Sequence, residues 1–120
     1  MITVDRLNIN AGNFLIRNSD QGREYFQYLL NHAEEYKDHI WGEQQAIIDS
    51  VDKFQDIIKI LPQKYMNSYE PQIYDYCDTR IDILGEWTVW EPTDWIVHWP
   101  GIREEVRIER AKVINNLITK

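Results

Sequence analysis

The sequence predicts an α/β layer architecture, and three observations carry that prediction. Short aliphatic runs at "NFLIR", "IIKILP" and "WIV" read as buried strands. The stretches after residue 19, over 42–54 and beyond residue 101 repeat apolar residues at helical spacing. Turn signals, Asn18-Ser19-Asp20 and Pro100-Gly101, stand at the junctions. Strands alternating with amphipathic helices bury their apolar faces by layering helix on sheet.

Taken in order, residues 13–17 form the first strand, with Gly12 before it. Ser19 or Asp20 then caps a helix on which Tyr25, Phe26, Leu29, Leu30 and Ala33 share a face. Arg23, Gln27, Asn31 and Glu34 take the polar side. A second helix over 42–54 carries the stripe Ile47, Ile48, Val51 and Phe54. Residues 57–62 read as a strand ended by Pro62, which has no N–H for a ladder. Residues 64–91 are aromatic and irregular, with "RIDIL" and "WTVW" pairing as short strands around Gly85. Trp95, Ile96 and Val97 form another buried strand. The Pro100-Gly101 turn leads into a last helix with Val106, Val113, Ile114, Leu117 and Ile118 inward.

A chain of 120 residues with 43% hydrophobic content fits one domain with a modest core. The formal net charge of -7 argues against nonspecific nucleic-acid binding, which needs a basic face. It leaves room for a nucleotide, which needs only local cations. The lone Cys77 makes neither an internal disulfide nor, alone, a zinc site, and reads as structural. No run of 18 apolar residues exists, and "MITVDRLNIN" lacks the apolar core of a signal peptide. A cytoplasmic location is expected.

Candidate functional residues are polar groups at places where ligands gather. His98 ends a predicted strand, where α/β sheets open their ligand crevice. A neutral imidazole there can ligate a metal or accept a proton; equally, it can fill the core edge and bond a carbonyl. Arg103 follows the turn, placed to clamp a phosphate beside a helix start or to pair with Glu104 or Glu105. Gln44 shares the face of Ile47 and Ile48, so its amide needs a partner: a sugar hydroxyl or a backbone group. Glu43 suits the first turn of a helix through the dipole. Asn10 offers a two-sided amide and Gly12 a close backbone approach, or the pair is an ordinary turn. Trp87, Trp90, Trp95 and Trp99 crowd one short segment, suiting either sugar recognition or a core. No nucleophile elbow, phosphate-binding glycine loop or zinc-ligand cluster occurs in the sequence.

In sequence order, "NAGNFLIRNS", "WGEQQAII", "ILPQKYMNSY" and "DWIVHWPG" resemble the C-terminal half of glycosyltransferase family 34, over roughly residues 8–110. The resemblance implies a GT-A fold, a mixed sheet with flanking helices. It implies a retaining, metal-dependent transfer of a hexose or pentose from a nucleotide-diphosphate sugar to a glycan acceptor. The family's Asn-x-Gly falls on Asn10 and Gly12 beside the donor sugar, and its acidic-Gln pair on Glu43 and Gln44 at the reaction centre. Its His-Phe-x-Gly motif falls on His98, Trp99 and Gly101, with His98 as a ligand to Mn²⁺. Arg103 takes the place of the basic residue near the diphosphate, where the family often has lysine, and Ile102 replaces a usual cysteine.

The family's metal is held by an Asp-x-Asp motif, and this sequence has none. Residues 1–120 therefore read as a single partial domain lacking the nucleotide-binding half. It is a gene fragment, one part of a two-chain enzyme, or a fold that has lost activity. The isolated chain is expected to transfer sugar poorly or not at all, and self-association or a partner chain is expected to cover exposed apolar surface. The rival reading is a non-catalytic module that binds glycan or protein through its Trp/Tyr surface. A weaker third is a hydrolase with His98 as general base.

Overall fold

The computed structural model describes residues 1–5, 7–70, 81–99 and 101–119. Among these residues, five strands and four helices run in the order β1 (Ile2–Val4), β2 (Ile9–Phe14), α1 (Asp20–Asn31), α2 (Ala33–Tyr36), α3 (Gly42–Ser50), β3 (Ile60–Leu61), β4 (Ser68–Tyr69), β5 (Val97–His98) and α4 (Glu104–Ile118). Single 3₁₀ turns at Asp52–Phe54 and Gln63–Tyr65 follow α3 and β3. Mixed sheet plus helices is the expected α/β class.

One sheet has the order β2-β1-β3, with β1 antiparallel to β2 and parallel to β3. The β1–β2 ladder is irregular. Thr3 pairs with Asn10 but Ile2 with Phe14, so residues 11–13 bulge out of register. A second, parallel pair joins β4 to β5, with Tyr69 opposite His98.

The apolar core lies between the first sheet and α3. Ile2 and Val4 project to one face of β1, where they meet Ile9 and Ile47. Ala11, Leu29, Ile48, Val51 and Ile58 close the margin. Each fully buried aliphatic side chain contributes about 1.5–3 kcal/mol. Helix α1 starts at Ser19, whose hydroxyl accepts the Gly22 amide at 3.2 Å. It leans on the core through Tyr25, whose hydroxyl meets Ser50 Oγ at 3.0 Å and whose ring meets Phe54 edge-on.

Several expectations shift. The strand expected over 13–17 is β2, Ile9–Phe14, it follows a β1 that was not foreseen, and Leu15 and Ile16 are exposed. Its pairing with β1 decides the register, and beyond Phe14 Leu15 still exchanges backbone hydrogen bonds with Met1, at 2.7 and 2.8 Å, while its side chain faces solvent. The expected strand over 57–62 shrinks to Ile60–Leu61. β4 was not foreseen; two residues carry no periodicity. "RIDIL" and "WTVW" meet in one antiparallel bridge, Ile81 with Trp87. The strand expected over Trp95–Val97 is the half-buried Val97–His98, and Trp95 is 89% exposed. On the first helix Phe26 and Leu30 are exposed, and Ala33 falls in α2. On α4 only Ile114 is buried; Val106, Val113, Leu117 and Ile118 are exposed. The dimensions explain why: a radius of gyration of 15.8 Å exceeds the ~14 Å of a compact chain this long, so helix faces stay uncovered. Cys77 and Pro100 lie outside the described residues. Among the described residues no helix is long and apolar enough to cross a membrane.

Truncating the centre of the core tests this account. Ile47→Ala is expected to lower unfolding free energy by about 2–5 kcal/mol, read from urea denaturation. Leu30→Ala, on the exposed side of α1, should change it by less than about 0.5 kcal/mol.

Candidate functional site

The site begins at the turn between β1 and β2. Asp5 Oδ1 accepts the amides of Leu7 at 2.7 Å and Asn8 at 3.0 Å, and the Asp5 amide donates to the Asn8 carbonyl. Its Oδ2 accepts Asn10 Nδ2 at 2.8 Å and lies 3.5 Å from the Tyr69 hydroxyl. One carboxylate thus closes the turn, orients Asn10 and reaches β4. Asn10 Oδ1 accepts the Gly12 amide at 2.8 Å, which shapes the bulge. Gln44, in the first turn of α3, accepts the Ala11 amide on Oε1 at 3.1 Å.

The apex of the bulge meets His98. A Cβ on Gly12 would stand 2.5 Å from His98 Cε1, 2.9 Å from Nε2 and 2.8 Å from Asn10 Oδ1. Only glycine lets the imidazole lie so close to the strand. The other side of the ring is held by Asn67, whose Oδ1 bonds Nδ1, and the Tyr69 ring packs 5.7 Å away. Nε2 lies on the Gly12 side of the ring. Burial pushes the His98 pKa below the ordinary 6.5; the Asp5 charge works in the opposite direction and is outweighed.

Two carboxylates hold the two-residue strand β5 in place. Asp94 accepts the Ser68 hydroxyl at 3.1 Å and lies 3.6 Å from Lys64 Nζ, which also pairs with Glu91. Glu70 accepts Trp99 Nε1 at 3.1 Å and also accepts Nε and Nη2 of Arg110 from α4. His98 sits between these anchors.

Asn10, Gly12, Gln44 and His98, spread over most of the sequence, therefore meet at one place. Glu43 is exposed beside Gln44, and among the described residues it makes no hydrogen bond or ion pair. Gly101 adopts φ +70° with open space around it, and Arg103 is the exposed residue preceding α4. No described contact brings these three to the cluster. The amide of Asn10, expected to face a sugar, is spent on Asp5 and Gly12 and is 7% exposed. Gln44 found the backbone partner for its oxygen; among the described residues its Nε2 makes no hydrogen bond. Asp5, Asn67, Tyr69, Glu70 and Asp94 were not singled out from the sequence. Only the motif "ILPQKYMNSY" hinted at Asn67 and Tyr69, without assigning either a task. Among the described residues no group of three or more His, Cys, Asp or Glu is placed to hold a metal ion. His98 thus offers a single nitrogen, which does not by itself fit Mn²⁺.

Comparison with known proteins places these residues in a wider context. A family model described as the galactosyl transferase GMA12/MNN10 family matches residues 1–106. No curated protein and no solved structure matches the chain.

Two measurements check this geometry. Gly12→Ala drives a methyl into the ring and should cost about 1–3 kcal/mol while displacing the His98 ring resonances. For pH, the folded chain binds the His98 proton less readily than the unfolded chain does. Stability is therefore lost as pH falls below 6.5, and the loss is complete once pH is under the folded value. Urea midpoints measured across that window should fall more steeply for the wild type than for His98→Asn.

Proposed function

The chain belongs to the galactosyl transferase GMA12/MNN10 family and is a glycosyltransferase sequence, and from that premise we propose the reaction it serves. It takes part in transfer of a hexose or pentose from a nucleotide-diphosphate sugar to a glycan hydroxyl, with retention at the anomeric carbon. Its fold is the C-terminal part of a GT-A domain. The observation that carries the reading is the meeting of Gly12, Gln44 and His98, three positions far apart in sequence, at one bulge.

In the transfer, the bond from the anomeric carbon to the diphosphate oxygen breaks and a bond to the acceptor oxygen forms. The leaving diphosphate gains negative charge as its bond breaks, and its oxygen takes up the proton that the acceptor hydroxyl loses. Gln44 Nε2 is a donor available to a sugar hydroxyl, its oxygen being fixed on Ala11. Glu43 supports cationic character on the sugar or binds an acceptor hydroxyl. Gly101 gives the turn after His98 its reach, and Arg103 beyond it meets the diphosphate, where a guanidinium stabilises the departing charge. Family membership implies a divalent metal; the described residues do not form its shell, and no step is assigned to it.

Titrating the ¹⁵N-labelled chain with a nucleoside diphosphate, with and without Mn²⁺, tests this reading. The amides of Ala11, Gly12, Gln44 and Arg103 are expected to move together. Gln44→Ala is expected to weaken binding of the nucleotide-sugar about tenfold, the worth of about one hydrogen bond. No nucleotide response, with glycan binding that disappears in Trp95→Ala, would replace the transferase by a glycan-binding module.

A further inference from the structure

We infer that Asn67 is a positioning residue that fixes which ring nitrogen of His98 carries the proton. Asn67 is fully buried directly before β4. Its backbone is held twice: its amide donates to the Gln63 carbonyl at 2.8 Å, and its carbonyl accepts Gln63 Nε2 at 3.1 Å. Gln63 is in turn fixed by Asp82 Oδ2, which accepts its amide at 2.8 Å. The side-chain oxygen therefore reaches the ring from a rigid base.

An amide oxygen only accepts, so the hydrogen must sit on Nδ1. A free neutral imidazole prefers the opposite tautomer, with hydrogen on Nε2. The fold reverses that preference, and the reversal decides what the Gly12 edge can do. A bare Nε2 accepts a proton or ligates a cation; Nε2–H can only donate.

A second observation ties the ring to the amide orientation. Asn67 Nδ2 is buried with no partner among the described residues. A buried unmatched donor costs about 1–3 kcal/mol, so this side chain is poorly placed for stability alone. Turning the amide over would set Nδ2 against the ring, enforce Nε2–H and orphan the oxygen instead. Asn67 and the ring thus share one orientation choice. The chemical use of the bare nitrogen rests on the transferase reading; the tautomer does not.

The experiment is long-range ¹H–¹⁵N correlation of the ring nitrogens in the full chain at mildly alkaline pH, where imidazoles are neutral. The other histidines are internal standards. His32 Nδ1 faces the Tyr28 carbonyl at 2.8 Å and should show Nδ1–H. His39 Nδ1 accepts the Trp41 amide at 3.2 Å and should show Nε2–H. His98 is expected to match His32. Asn67→Ala should move it to the His39 pattern, while Asn67→Asp, which keeps an acceptor, should preserve Nδ1–H. If Asn67→Ala does not fold, the wild type and Asn67→Asp decide the matter. A wild-type His98 carrying hydrogen on Nε2, or an Asn67→Ala protein that retains Nδ1–H, overturns the inference. A bare Nε2 in a protein that ignores nucleoside diphosphates and binds glycan through Trp95 would leave the inference standing and remove the transferase reading instead.

Discussion

The approach of an imidazole to within a methyl's width of strand β2 is the constraint on which the site depends. It brings two sheets into contact that share no ladder in the described residues. It needs a strand that bulges, a residue at the apex with no side chain, and a histidine that cannot swing away. Gly12 meets the second need, and polar side chains meet the other two. Asn10 shapes the bulge, Gln44 fixes it from α3, and Asn67 holds the ring's far edge.

The same constraint accounts for the character of the interior. Among the described residues Ile2, Val4, Ile9 and Ile47 form the buried apolar cluster. Around them Thr3, Gln63, Asn67, Ser68 and Thr88 are fully buried. Buried polar groups stabilise a fold only when matched, and Thr3 Oγ1, Gln63 Oε1 and Asn67 Nδ2 are unmatched among the described residues. A protein shaped for stability alone would fill such positions with aliphatic side chains. Here that space is given to groups that set direction.

Helices α1 and α3 were legible because the cap of α1 and the apolar positions of both are local: Ser19, Tyr25 and Ile47 announce themselves within a turn or two. The strands were less so. Leu15 and Ile16 look buried by composition, yet β1 selects Ile9–Phe14 as its partner, a choice made by pairing over distance. Trp95 misled in the same way. Within the site, His98, Gly12 and Gln44 were found through their places in motifs. Asp5, Asn67 and Glu70 were not, because a carboxylate that closes a turn or an amide that orients a ring has no signature of its own. Its work is visible only once the partner segment is in place.

Glu70 binds Trp99 on one side and Arg110 on the other, and so joins the neighbourhood of the histidine to a helix that buries only Ile114. The tether is a matched fork, two nitrogens on two oxygens, which a lysine would reduce to a point charge. Elsewhere α4 carries few internal obligations. Its outer surface is free to diversify in composition so long as one guanidinium keeps its register, which separates what this helix must preserve from what it can trade.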